Sequence, residues 1–189
     1  METCGYSIPD LVADLRRVVL ATADEREILS QVRPLAQRAA RSRDSWLEER
    51  FYAANPDQGF GVYLLHEEDD HSLAVFALSW LPHRGAPPHD HATWAVVASV
   101  DGPEKNEFFE RTDDRSRPGY AELKKTGERV FGVGDVLAMR SGQIHSVWND
   151  TDAVSLSLHI YGKNIQHTGR SQFDVERRTQ TPFLLQVNR

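Results

Sequence analysis

From Asn55-Pro56-Asp57 onward the chain breaks into short runs rich in β-branched and aromatic residues: GVYLLHE, SLAVFALSW, TWAVVASVD, NEFFER, DVLAMR and VSLSLHIY. Asp, Gly, Pro and Asn separate them, as turns require. Runs of this length at this spacing fold as a β-sandwich or β-barrel. Before that turn the period is helical. Leu11, Leu15, Val18 and Val19 recur at helix spacing, as do Ile28, Val32, Leu35 and Ala39. Thr22 with Glu25 reads as a capping box opening the second helix, and Asp44 to Tyr52 predicts a short third. The expected architecture is therefore mostly β, with two or three N-terminal α-helices over residues 1–54 packed on a barrel over 55–189, in one domain.

The 189 residues, 40% of them hydrophobic, suit one core of that kind. With 22 basic against 28 acidic residues the net charge is -6, and no Lys/Arg block tracks a phosphate backbone, so nucleic acid is not an expected partner. Cys4 is the single cysteine, which leaves no internal disulfide framework. The opening METCGYSIPD has no h-region, and no apolar run is long enough for a membrane span. The expectation is a cytoplasmic protein, monomeric or weakly homo-oligomeric. The polar stretch RTDDRSRPGYAELKK reads as a solvated excursion between strands.

Two stretches concentrate histidine. In HRGAPPHDHATWAVV, His89 and His91 stand two apart, so on a strand they share a face with Cα atoms roughly 7 Å apart, a spacing suited to two metal ligands. Asp90 between them then points to the other face. A histidine on a strand's outer face is common, so the pair alone decides little. In GDVLAMRSGQIHSVWN, Gly134 and Gly142 mark tight turns flanking a strand, and His145 opens the next one.

The order Gly134, Gly142, His145, Asn149 resembles the second cupin motif, with Arg140 in place of its usual proline. HDH followed by Gly102 resembles the first. The resemblance implies a cupin double-stranded β-helix, a jelly-roll barrel in which the two motifs face each other and supply one metal site. The glutamate that usually follows His-x-His is missing, with Trp94, Ala95 and Val96 in its neighbourhood. The implied ligands are three neutral histidines, His89, His91 and His145, and an ion held there keeps its full charge toward a thiolate.

In AVSLSLHIYGKN, Ser157, His159 and Tyr161 alternate along one strand and share a face. Taken alone they would be filling of a polar barrel interior. Beside the two histidine motifs they resemble the Ser-His-Tyr triad of the thiol dioxygenases, the cysteine and 3-mercaptopropionate dioxygenases. The likeness runs from about Gly59 to Asp174. It implies Fe(II) as cofactor and conversion of a small carboxylate-bearing thiol to its sulfinic acid with both atoms of O2. It further implies that Tyr161 acts on oxygen or thiol and that Ser157 and His159 orient it. Animal cysteine dioxygenases cross-link this tyrosine to a cysteine, but Ala95 stands at that position, so Tyr161 is expected unmodified.

For the substrate carboxylate, an ungapped count back from Trp80 puts Tyr63 where the family usually has Arg or Gln, so that anchor is missing and Tyr63 is the candidate substrate-binding residue at its place. Arg170, nine residues after Tyr161, matches the clamp of the mercaptopropionate type. Arg140 is a second candidate cation; both together would suit mercaptosuccinate. His66, His71, His83 and His167 read as surface or turn residues. Two other readings stay open: a three-histidine cupin cleaving a carbon-carbon bond, as in a β-diketone, and a small-molecule-binding cupin without activity.

Overall fold

The computed structural model describes residues 5–188; Cys4 lies outside the described residues. Helices α1 (Ile8–Ala21) and α2 (Glu25–Arg41) come first. Ser7 and Asp10 close a capping box on α1, satisfying N–H groups that the first turn leaves without partners. The second helix is capped by Asp24, which accepts from the Arg26 and Glu27 amides, and not by Thr22. The Thr22 hydroxyl instead accepts from Asp24 N, because Thr22 belongs to the turn that ends α1. In place of a third α-helix, two short 3-10 turns span Arg43–Ser45 and Glu49–Tyr52.

Among the described residues eleven strands follow: β1 (Phe60–Glu67), β2 (Ala74–Trp80), β3 (Gly85–His89), β4 (Ala95–Asp101), β5 (Glu104–Arg111), β6 (Leu123–Phe131), β7 (Val136–Met139), β8 (Ile144–Trp148), β9 (Ser155–Tyr161), β10 (Ser171–Asp174) and β11 (Thr179–Pro182). They form a five-stranded sheet in the order β1-β2-β9-β4-β7 and a six-stranded sheet in the order β11-β10-β3-β8-β5-β6. All pairings between strands are antiparallel, and the two sheets face each other as the double-stranded β-helix of the cupin fold.

The five-stranded sheet is covered on both faces, which explains its near-continuous apolar runs. Along β2 and β9 the side chains alternate between two cores. Val75, Ala77, Leu156, Leu158 and Ile160 pack under the helices with Leu11, Leu15, Val32 and Ala36. Ala74, Phe76, Leu78 and Tyr161 point between the sheets toward Ala86 and Val147 of the other sheet. A one-residue slip of β9 would send Ser157, His159 and Tyr161 under the helices, so burial of both faces fixes the register that exposes them to the interior.

The six-stranded sheet has a different outer strand. Most of β6 is exposed, and its Lys125 pairs with Glu107 and Glu128. Charged side chains of this kind blunt an open edge against further pairing. Among the described residues no helix is long and apolar enough to cross a membrane.

Candidate metal centre

Two backbone arrangements bring the histidines together. His89 and His145 are direct partners across the antiparallel β3–β8 pair, and His89 also pairs with Gln172 on its other side. The Pro87-Pro88 step cannot donate to a ladder, and the β3–β8 register shifts there, between Ala86 and His89. The strand ends at His89, so His91 extends the same face just beyond it. Gly142, at φ 81°, allows the bend that aims β8 so that His145 points inward.

The three rings make a nearly equilateral cluster, with centroids 5.0 Å (His89–His91), 4.5 Å (His89–His145) and 5.1 Å (His91–His145) apart. One ligand nitrogen from each lies within 4.8 Å of the others, and no side chain is more than 4% exposed. His89 Nδ1 donates to the Pro87 carbonyl at 2.8 Å, leaving Nε2 as an acceptor. His145 Nδ1 faces Asn106 Oδ1 at 2.8 Å, and its Nε2 is buried with no hydrogen-bond partner. A buried lone pair without a partner is costly, and here it points at two other imidazoles. Burial holds His89 and His91 well below the usual imidazole range, with neighbouring His145 and His89 respectively adding to it. Burial and the Arg170 cation bring His145 down to about 3. All three are neutral, the state a metal requires, and an all-imidazole set suits iron, zinc, copper or nickel. The residues therefore fit a divalent transition ion.

Trp94, near the position of the missing carboxylate, does not approach the cluster as a ligand. It packs against Gly162, where an added Cβ would come within 2.2 Å of the indole nitrogen. Ala95 is the cross-strand partner of Tyr161, whose other neighbour is Ala74, so the phenol sits between two small residues.

Beside the cluster, Ser157 Oγ lies 2.8 Å from His159 Nε2, and His159 Nδ1 lies 2.8 Å from Tyr161 Oη. Burial brings His159 down to about 3, so the ring carries one proton and the chain has a direction that reverses when that proton changes nitrogen. Burial also raises the Tyr161 phenol well above its usual value, against the pull of Arg170, so it is a neutral donor. The Tyr161 ring stands 5.1 Å from that of His91. Behind Ser157 lies a group that sequence reasoning missed. Glu104, 2% exposed, sits beside Ser157 and Trp80, and burial pushes its carboxyl up to about 7. Its Oε1 has no hydrogen-bond partner.

Arg170 enters the same cavity. It is 3% exposed, its guanidinium lies 4.3 Å over the Phe183 ring, and its Nε and Nη2 are buried without partners. Burial lowers it to about 10, so it keeps its charge at neutral pH. The strand that begins just after it, β10, is tied to the first motif: Asp90 N donates to Ser171 O at 3.1 Å, and Asp90 Oδ1 accepts from Ser171 N at 3.0 Å. A tight cavity of about 20 Å³ lies between His89, His91, His145, His159, Tyr161 and Arg170 and an apolar wall that includes Phe60, Trp80 and Phe183.

Two candidates lie elsewhere. Tyr63 faces the helical side of its sheet, where its hydroxyl donates to the Ala53 carbonyl at 2.8 Å and its ring meets Phe51. It cannot reach the cavity, because the alternation of β1 sends Phe60 and Val62 inward instead. Arg140 is an exposed turn residue whose amide donates to Gln143 Oε1, and it borders an outer groove with Phe108 and Arg115. Asn106, which fixes His145, carried no sequence signal beyond its place on a strand.

No family model matches the chain. Among solved structures, oxalate oxidase in complex with glycolate is 15% identical with a TM-score of 0.47, the match covering 66% of this chain and 61% of that one. A protein with a double-stranded β-helix domain from Klebsiella pneumoniae is 12% identical with a TM-score of 0.46, covering 64% and 84%. Bacillus subtilis oxalate decarboxylase, with Mn(II) centres, is 17% identical with a TM-score of 0.40, covering 53% and 24%. The chain thus spans about three fifths of the oxalate oxidase it resembles. Topology and side-chain geometry together describe a cupin fold holding a buried three-histidine site fit for a metal.

Proposed function

We propose that the chain is a non-haem Fe(II)-dependent thiol dioxygenase that converts a small carboxylate-bearing thiol, R–SH, and O2 to the sulfinic acid R–SO2H. The observation that carries this reading is the guanidinium of Arg170, buried and without partners at Nε and Nη2, in one cavity with three neutral histidines and the Tyr161 phenol. A buried cation left unpaired is expensive, and an anionic substrate group is what would complete it.

Ferrous iron held by His89, His91 and His145 would supply a redox-active Lewis acid with open positions for a thiolate and dioxygen. Arg170 binds the substrate carboxylate through two parallel hydrogen bonds and so fixes the position of the thiol end. Tyr161 holds a proton at Oη beside the histidine cluster, where it can be given to or taken from the reacting sulfur or oxygen. His159 and Ser157 pass that proton along the strand or hold the phenol in place. The apolar wall excludes water, which strengthens the charged contacts inside.

The cavity also discriminates among thiols. Among the described residues Arg170 is the one cation lining the cavity and no acidic side chain lines it, so the ammonium of cysteine meets no counter-ion. With Arg140 outside, the second carboxylate of mercaptosuccinate has no partner either. The substrate class favoured is a thiol whose charge is a single carboxylate, of the 3-mercaptopropionate type. Oxygen uptake by iron-loaded protein tests this with 3-mercaptopropionate, cysteine, mercaptosuccinate and acetylacetone. The expected result is fastest uptake with 3-mercaptopropionate, with one sulfinate formed per O2. Uptake with acetylacetone alone would assign a carbon-carbon cleaving enzyme, and uptake with none would leave a binding protein.

A further inference from the structure

A second group of metal-ligating side chains lies outside that cavity. Glu67, His71 and His167 each place one potential ligand atom within 4.8 Å of the other two. Glu67 ends β1, His71 sits in the turn to β2 with φ 63°, and His167 lies in the segment that carries the chain from Tyr161 to Arg170.

The framework around them is closely tied. His71 Nδ1 pairs with Glu67 Oε1, and Asn164 Nδ2 donates to the same oxygen at 2.6 Å. Asn164 N donates to His71 O at 2.9 Å, and His167 N to Asn164 O at 2.8 Å. Although burial pushes the Glu67 carboxyl up, the hydrogen bonds from His71 and Asn164 hold it below the usual range, so it is an ionised ligand. The His71 and His167 rings stack with centroids 3.6 Å apart and planes 7° from parallel. Parallel rings cannot both aim an in-plane lone pair at one ion, so one must turn. His167 is exposed and has the room to do so.

We propose that Glu67, His71 and His167 form a peripheral site for a divalent cation of the zinc class, which fastens the Tyr161–Arg170 connection to the β1–β2 turn. Two imidazoles and one carboxylate with a water in the fourth position are a tetrahedral zinc set. The same connection is already anchored on its other side, where Gln166 Nε2 donates to Leu185 O at 2.8 Å. An ion at this site would order the segment that joins the phenol to the guanidinium without touching either. This inference does not depend on the thiol chemistry.

Equilibrium dialysis against Zn²⁺ with metal analysis tests it in three proteins: wild type, His89→Ala/His145→Ala, and His71→Asn/His167→Ala. Asparagine is chosen at residue 71 because it tolerates the positive φ. The expected result is about two zinc per wild-type chain and about one in each double variant. Hydrogen exchange over residues 162–169 should slow on adding zinc to the wild type and to His89→Ala/His145→Ala, but not to His71→Asn/His167→Ala. His167→Ala alone, at an exposed position, should weaken the second equivalent by more than about 100-fold, beyond what loss of an outer partner costs. Equal zinc binding by the wild type and His71→Asn/His167→Ala, or a His89→Ala/His145→Ala protein that binds none, would overturn the proposal.

Discussion

Asn106 Oδ1 accepts a hydrogen bond from His145 Nδ1 at 2.8 Å, with both side chains buried. An amide oxygen can only accept, so this contact places the imidazole proton away from the cluster and leaves Nε2 free to ligate. Asn106 therefore sets both the tautomer and the tilt of one ligand from a neighbouring strand.

Asn106→Ala should accordingly weaken metal affinity by about 10- to 100-fold while the ligands remain in place. His145→Ala should lose stoichiometric iron altogether. Metal titration followed by dialysis distinguishes the two, and unchanged affinity in Asn106→Ala would remove its role in orienting the ligand.

Tyr161→Phe should keep its iron and its fold, since the ring packs with Phe76 and between Ala74 and Ala95 without needing its hydroxyl. Turnover should fall about 10²-fold if the phenolic proton is used in the slow step. Full activity in this variant would reduce Ser157, His159 and Tyr161 to interior packing.

Arg170→Ala should penalise 3-mercaptopropionate relative to cysteamine, which has no carboxylate. Hydrogen bonds to charged groups contribute about 1.5–3 kcal/mol, so the ratio of kcat/KM for the two thiols should shift by roughly 10- to 150-fold. Arg170→Lys should recover only part, because an ammonium cannot make the planar pair. A ratio that does not move at equal iron occupancy places the clamp elsewhere.

Glu104 gives a prediction with a definite sign. Its folded pKa of about 7 lies above the ordinary value of 4.5, so the folded state binds this proton more tightly than the unfolded chain. The associated stability is full at acid pH and is lost as pH rises through about 7, on the order of 3 kcal/mol in all. The buried histidines act oppositely: held neutral below the usual range, they lose stability as pH falls below about 6.5. Comparing metal-free wild type with Glu104→Gln by urea unfolding at about pH 5.5 and 8 isolates the carboxyl. The wild type should lose stability relative to the variant on going to pH 8, and a constant difference between them would contradict the raised pKa.

The sequence revealed what period and spacing encode. Alternation put Ser157, His159 and Tyr161 on one face, and their hydrogen bonds run along that face. The two histidine motifs fall opposite each other because β3 and β8 are partners. Tyr63 misled because an ungapped count gives position along a strand but not which side of the sheet is the interior; both sides are apolar here. Strand β6, which starts at the end of the polar excursion and runs on to Phe131, went unread, since an edge strand exposed on most of its length has no alternating pattern to read. Glu104 and Asn106 escaped notice because they matter through long-range packing, and neither belongs to a motif.

The paired hydrogen bonds between Asp90 and Ser171 join the histidine motif to the strand that begins beside Arg170. The separation between the three imidazoles and the guanidinium is thus held by one main-chain hydrogen bond and one to the Asp90 carboxylate, and not by the longer segment around His167. The cavity then works as a fixed caliper. A ligand with one methylene too many or too few must itself bend or lose one of its two ends, and homologues of different chain length would be ranked by how well they span this gap.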